Sequence, residues 1–199
     1  MTELLLASRS AARTAMLAQA GVPFTAMAAD VDEEGMKEAL LAEGADPRAI
    51  ADAQAELKAV KLSRARPEAL VLGCDSTVAA ADGGLVSKVD SRDEAARQLR
   101  ALAGTTHQLH SAAVVAQGGV PIWRQVDTAR LTMRDFSDGF LHDYLEQEWP
   151  AIGACVGGYR LEGLGVQLFS RIEGSYFTIL GLPLLPLLAW LRERGVISR

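Results

Sequence analysis

Two cysteines, Cys74 and Cys155, are all that this chain of 199 residues carries. They stand in neither CxxC nor zinc-ligand spacing, which excludes a disulfide scaffold and a metal ribbon. Each is expected to be a buried thiol in a reducing compartment. A basic excess is missing too. With 20 Lys and Arg against 25 Asp and Glu, the net charge is −5, which gives nucleic acid no electrostatic footprint. There is no bilayer-length apolar run. The most apolar stretch, 177-FTILGLPLLPLLAWL-191, is short and is broken by Gly181, Pro183 and Pro186, so no membrane association is expected. The opening MTELLLASRS has neither the basic flank nor the length of a signal peptide, and a cytoplasmic location is expected.

Several motifs are absent as well. No GxxxxGK[ST] loop occurs, and the glycines of 157-GGYRLEGLG-165 do not satisfy GxGxxG, so a dinucleotide fold is unsupported. His107, His110 and His142 lack HExxH spacing, and on one strand His107 and His110 would point to opposite faces. Without a GxSxG elbow, hydrolysis by a serine triad is also unsupported. No repeat, low-complexity segment or composition shift marks a linker, so residues 1–199 read as one domain.

What is present alternates strand and helix, the signature of an α/β fold. Strands are expected at Leu4–Ala7 and Phe24–Ala28, and the latter leads into an acidic turn, 30-DVDEE-34. Helices are expected over Ala11–Ala20, capped by Ser10 and ended by Gly21, and over Pro47–Ala65, capped by Asp46. A buried strand follows in 69-ALVLGCDSTVAA-80, then a hairpin turn at 82-DGG-84 and a helix from Ser91 to Leu102. His107–Ala116 and Val120–Thr128 read as a strand pair around Gly118 and Gly119, and Ser137 caps a helix through Glu146. The glycine-rich 152–165 segment reads as a loop with a short strand. Val166–Ile172 reads as a strand and Leu184–Glu193 as the closing helix.

The charged residues at strand ends are the candidates for chemistry. Asp75 closes a run that reads as buried on both faces, and such a carboxylate is costly unless its charge is used. In 7-ASRSAAR-13 a strand end meets a helix start. The free N–H groups there, with Ser8, Ser10 and Arg13, suit a phosphate. The plainer alternative makes Ser10 a simple cap and Arg13 a solvated residue. Lys58 and Lys88 each offer a point charge to a triphosphate, although a lysine on a helix is ordinarily just solvated. Glu33 and Asp75 together suit a divalent cation, or one of them suits a general base; alone, Glu33 also fits an exposed turn acid.

Read together, LLLASRSAAR, VDE, LKA, LGCDSTV, the Lys88 segment, Gly104-x-x-His107, EGSYFTILGLPL and the apolar last helix resemble the Maf family. These are nucleoside triphosphate pyrophosphatases of the inosine-triphosphate-pyrophosphatase-like superfamily, and the resemblance runs nearly the whole chain in order. It implies an α/β fold with a long curved mixed β-sheet flanked by helices, in two lobes around a nucleotide cleft. It also implies removal of pyrophosphate from nucleoside triphosphates in the cytoplasm with a divalent metal cation, magnesium or manganese, and leaves a homodimer open. By position, Asp75 takes the proton-acceptor role, Ser8, Ser10, Arg13, Lys58 and Lys88 bind substrate, and Glu33 with Asp75 are metal candidates.

Departures bear on specificity. The family's usual Ser-x-Ser-Pro-Arg-Arg has Ala11 and Ala12 in place of proline and the first arginine. A branch directed to dTTP and UTP carries arginine at position 12, threonine at 76 and glutamine at 162; here these are Ala12, Ser76 and Glu162. A branch directed to 7-methyl-GTP carries glutamate at the last position, and a carboxylate suits the donor edge of guanine. The resemblance also admits a different class of function, a nucleotide-binding regulator of cell division. The complete charged set favours an enzyme.

Overall fold

Caps and hydrophobic alternation set most element boundaries. The computed structural model describes residues 3–198. Strand β1 (Leu4–Ala7) leads to helix α1 (Ala11–Gln19), where the Ser10 side chain accepts from Arg13 N, and then to a two-residue strand β2 (Thr25–Ala26). Helices α2 (Glu33–Ala42) and α3 (Pro47–Ala65) follow, capped by Asp32 and Asp46. The long strand β3 (Leu70–Ala79) turns into β4 (Leu85–Val86), and α4 (Arg92–Leu102) precedes the long strands β5 (Thr106–Gln117) and β6 (Val120–Met133). Helix α5 (Asp138–Glu148), two 3-10 turns, β7 (Phe169–Glu173), the one-turn α6 (Tyr176–Ile179) and α7 (Leu184–Glu193) complete the chain.

The seven strands form one mixed sheet in the order β2-β1-β3-β5-β6-β7, with β4 on β3. β1 runs parallel to β2 and β3, whereas β4 pairs antiparallel with β3 and β7 with β6. This is the expected α/β architecture of helices on a mixed sheet.

By spatial contact the chain divides into two compact units. Of the described residues, the first holds those up to Ser76, His110–Asp127 and those from Tyr176 onward; the second holds Thr77–Leu109 and Thr128–Ser175. In the first unit strand alternation sends side chains to two faces. Leu4, Leu6, Leu70, Leu72, Cys74, Ala113 and Val115 pack with Leu187, Trp190 and Leu191 of α7. The other face receives α3 through Ala51, Ala55 and Ala59, which meet Ala112, Val114 and Ala116 of β5. Small residues on both sides allow a close approach, and a Cβ at Gly73 would collide with the Ala55 carbonyl and Ala59. In the second unit α4 packs on α5, and each helix buries apolar residues, Leu99 and Leu102 on α4, Leu141 and Leu145 on α5.

Several boundaries differ from the sequence expectation. Residues 30–34 are not a plain acidic turn: Asp32 accepts from Gly35 N at 2.9 Å and starts α2, so Glu33 is the first helical residue. No residue of α2 is buried, which is why no apolar periodicity announced it. The strand expected over Phe24–Ala28 shrinks to Thr25–Ala26, both exposed, paired only to Leu5 and Leu6. The 152–165 loop contains no strand; instead 3-10 turns lie at Ala151–Ala154 and Leu164–Leu168. The second displaces the start of β7 from Val166 to Phe169: the Val166 N–H is taken by the Gly163 carbonyl at 3.3 Å within the turn, and Val166 stays half exposed. Of the two cysteines, Cys74 is buried but Cys155 is only partly so. No helix among the described residues is long and apolar enough to cross a membrane.

Candidate active site

β1 stops at Ala7, opposite Gly73, while β3 continues to Ala79. Asp75 therefore sits in mid-strand and not at a strand end, as the apolar run alone suggested. Past Gly73 the β3 edge loses its β1 partner, and the chain there turns through Ser8–Ser10 into α1. An opening at the carboxyl end of a parallel strand is where α/β folds place ligands.

On the α3 face, the close approach at Gly73 brings Lys58 onto Asp75. Lys58 Nζ donates to Asp75 Oδ1 at 2.7 Å and lies 2.8 Å from Glu33 Oε2. The lysine side chain is 9% exposed and that of Asp75 12%, so this is a nearly dry ion pair, whereas Glu33 at 46% faces solvent. Lys58 is thus no solvated helix lysine; it ties two carboxylates together. One turn earlier on α3, Gln54 Nε2 donates to the Glu33 carbonyl at 2.8 Å and fixes the start of α2. Asp75 Oδ2 makes no hydrogen bond to the described residues.

On the opposite face, at the N-terminus of α1, Ser8 Oγ accepts from Ser10 N at 3.2 Å, and Ser10 Oγ accepts from Arg13 N at 3.3 Å. Both hydroxyls act as acceptors toward the protein, so their protons remain to be donated. The N–H groups of Ala11 and Ala12 precede the first intrahelical bond and are also donors. Arg13 is not a solvated residue. Nε donates to the Gly181 carbonyl at 2.8 Å, Nη1 to the Cys74 carbonyl at 3.0 Å, and Nη2 to Ser76 Oγ at 3.0 Å. Burial pushes the Cys74 thiol up to about 11 although Arg13 and Lys58 pull it down, so it is no thiolate nucleophile. Ala12 is half-buried in the first turn of α1.

Lys88 and Glu162 belong to the second unit and are both exposed. They share a neighbourhood there. The Cys155 thiol, raised first by burial, feels Glu162 and Glu148 on one side and Arg160 and Lys88 on the other. Glu148, buried on α5, takes Arg160 Nε and Nη2 at 2.9 and 2.7 Å on Oε2, and the Leu164 N–H at 3.0 Å on Oε1. One carboxylate thereby holds both ends of the 160–164 turn that carries Glu162.

Comparison with known proteins supplies the family. The family model described as "Maf-like protein" matches residues 3–194. The chain belongs to the Maf-like family. Among its relatives, "Nucleoside triphosphate pyrophosphatase" of Roseobacter denitrificans is 54% identical, with 98% of each chain covered. The protein of the same name from Sphingopyxis alaskensis is 51% identical over 97% of this chain and 98% of its own. "7-methyl-GTP pyrophosphatase" of Brucella abortus is 44% identical, again over 98% of both chains.

In this Maf-like chain the first unit brings together Ser8, Ser10, Arg13, Glu33, Lys58, Asp75 and Ser76. Sequence reasoning missed the residues that hold them. Ser111 and the carbonyls of Thr178 and Gly181 anchor Ser76 and Arg13, Gln54 anchors Glu33, and Glu148 with Arg160 anchors the Glu162 turn. Signals for two existed: Ser111 is a polar residue inside an apolar strand run, and Gln54 precedes Lys58 by one helical turn.

Proposed function

We propose that this protein hydrolyses nucleoside triphosphates to the nucleoside monophosphate and pyrophosphate. The observation that carries the reading is Asp75, a buried carboxylate gripped on Oδ1 by Lys58 and, among the described residues, unpartnered on Oδ2, at the β3 edge that opens beside the serine-lined start of α1. Identity near 50% over the full chain to proteins named nucleoside triphosphate pyrophosphatase supports it.

Oδ2 orients a water and takes its proton as the water oxygen bonds to the α-phosphorus. The bond from that phosphorus to its bridging oxygen breaks, and the electron pair leaves with pyrophosphate. The hydroxyls of Ser8 and Ser10, the first N–H groups of α1 and Arg13 offset the charge on the phosphate oxygens. Lys58 holds the base in place.

A divalent cation, magnesium or manganese, fits this donor set in a limited way. Among the described residues no group of three His, Cys, Asp or Glu could hold a metal ion, and the Lys58 ammonium already lies between the two carboxylates. Asp75 Oδ2 and Glu33 are hard oxygen donors that suit a cation bringing water and phosphate ligands of its own. When bound, such an ion would neutralise phosphate charge. The substrate reading leans to guanine nucleotides, 7-methyl-GTP included, on the exposed carboxylate of Glu162 and the Brucella relative. The reading carries a cytoplasmic location with it.

The test is incubation with GTP, 7-methyl-GTP, dTTP and UTP, with magnesium or manganese and after chelation. Pyrophosphate and monophosphate are expected in equal amounts, and only with metal. Release of orthophosphate in place of pyrophosphate, or no turnover of any of the four, would sink the reading.

A further inference from the structure

We infer that Ser111 is a positioning residue for this reaction: acting through Ser76, it sets the guanidinium of Arg13. The argument is one of proton counting, and it rests on the proposal that Arg13 meets phosphate.

Ser111 is fully buried on β5, and its Oγ lies 2.7 Å from the Thr178 carbonyl and 2.8 Å from Ser76 Oγ. A hydroxyl has one proton. A carbonyl can only accept, so the Ser111 proton goes to Thr178, and in the serine pair Ser76 must donate. That uses the proton of Ser76 and leaves its oxygen as acceptor. The Arg13 Nη2 at 3.0 Å can only donate, so the two fit. The chain has one polarity throughout: Arg13 to Ser76 to Ser111 to the Thr178 carbonyl. A hydroxyl that donates is polarised into a better acceptor.

The same counting limits Arg13. Of the five N–H donors of a guanidinium, Nε goes to Gly181, the two on Nη1 go to the Cys74 carbonyl and, at 3.4 Å, to Ser8 Oγ, and one on Nη2 goes to Ser76. One N–H remains, on Nη2. Arg13 therefore meets a phosphate with a single aimed donor and not with a two-pronged fork. Gly181 and Cys74 set the plane of the guanidinium, and the bond from Nη2 to Ser76 is the one that holds the Nη2 group itself, next to that donor. Gly181 presents its carbonyl to Nε from a backbone with φ of +100°, which a residue with a side chain adopts only under strain. The position of Ser76 thus serves Arg13 before it serves any base.

The experiment is a double-mutant cycle of Ser111→Ala and Ser76→Ala, read in two ways. Arg13 side-chain N–H resonances, assigned by their loss in Arg13→Lys, report whether the guanidinium is held. The kcat and KM for GTP, or for whichever of the four triphosphates is turned over, report the consequence. Slowly rotating, resolved Arg13 Nη2 signals are expected in the unmodified protein and averaged Nη2 signals in Ser111→Ala, with Nε and Nη1 still held by Gly181 and Cys74. With them, kcat/KM should fall about tenfold, mostly through KM. In the Ser76→Ala background, Ser111→Ala should add less than about a twofold loss, because its path to Arg13 is already cut. Loss of the Ser111 bond, which leaves the Thr178 carbonyl with the Gly181 N–H at 3.0 Å as its donor, lowers the melting temperature alike in both backgrounds and is scored separately.

Unchanged Arg13 signals in Ser111→Ala, or an equal loss of kcat/KM in both backgrounds, overturns the inference. If Ser111→Ala does not fold, Ser76→Ala decides: Arg13 signals that stay resolved there overturn it equally. Absence of any hydrolysis by the unmodified protein would defeat the proposed function, while the resonance readout would still decide what holds Arg13.

Discussion

The two units treat their candidate residues in opposite ways. In the first, the residues proposed to do chemistry are themselves buried or tied down: Lys58 and Asp75 form a nearly dry pair, and Arg13 spends four donors on the protein. In the second, Lys88 and Glu162 stand in solvent, and the buried polar groups are bound up within the protein, Glu148 under the 160–164 turn and His107 on the Tyr159 side chain. Charge stabilisation in a reaction needs groups fixed before the substrate arrives, since reorganising them costs part of what they contribute. Recognition of a base tolerates a side chain that settles on contact, provided that its loop is anchored.

The largest expected effect tests the fixed half. Asp75→Asn should lower kcat by roughly a hundredfold or more, since an amide cannot take the proton of water. Folding should survive, because Lys58 keeps Glu33 as a partner at 2.8 Å. Near-normal turnover with an unchanged melting curve would remove Asp75 from the role of base. Lys58→Met is the complementary case. It leaves the Asp75 carboxylate buried without its cation and should cost on the order of 3 kcal/mol by urea unfolding. Combining it with Asp75→Asn should recover part of that loss; strict additivity of the two would mean that the pair is not coupled.

The second unit is tested by acid. His107 on β5 is fully buried, Nε2 is 2.8 Å from Tyr159 Oη, and Nδ1 has no partner among the described residues. Burial lowers its pKa from 6.5 to about 4. The unfolded chain therefore binds this proton first, and stability is whole above pH 6.5 and falls as the pH drops toward 4. The loss amounts to about 3 kcal/mol at 1.36 kcal/mol per unit. His107→Gln keeps a donor for Tyr159 and removes the titration. Its unfolding midpoint, compared with that of the unmodified protein at pH 7.5, 5.5 and 4, should show a flatter decline. Parallel declines would mean that carboxylates account for the acid sensitivity.

The same contrast explains what could be read from the sequence. Elements with a strong local rule were legible to the residue: α3 between Asp46 and Ala65, and β1 at Leu4–Ala7. So was the Ser10 cap of α1. The resemblance of LGCDSTV and SRSAAR to a known family marked Asp75 and the α1 start. What was not legible depends on contacts far apart in the chain. The Ser111, Thr178 and Gly181 partners of Arg13 and Ser76 come from β5 and the α6 segment, and no spacing rule links positions 13, 76, 111 and 178. Glu148 and Arg160 join across 12 positions through a turn whose glycines fit many conformations. α2 stayed hidden because it buries nothing.

The smallest effect concerns the adaptable half, and it is the one most able to break the comparison. Glu162 is exposed, on a turn that Glu148 holds at both ends, and within electrostatic reach of Cys155 together with Lys88 and Arg160. A carboxylate there can accept from the N1–H and amine edge of a guanine; a glutamine sets an NH2 donor against those donors. Glu162→Gln should reduce the preference for 7-methyl-GTP or GTP over dTTP and UTP by roughly tenfold, since a mispaired polar contact costs about 1–3 kcal/mol. kcat with the best substrate should change little, because the residues around Asp75 lie in the other unit. Glu148→Gln weakens the anchor without touching Glu162 itself. If Glu162 works only when its turn is held, this variant should lose the same selectivity. Unchanged substrate ratios in Glu162→Gln would take the base-reading role away from this turn. A fall in kcat equal to that of Asp75→Asn would instead place Glu162 in the chemistry, and the division between a fixed catalytic half and an adaptable recognition half would fail.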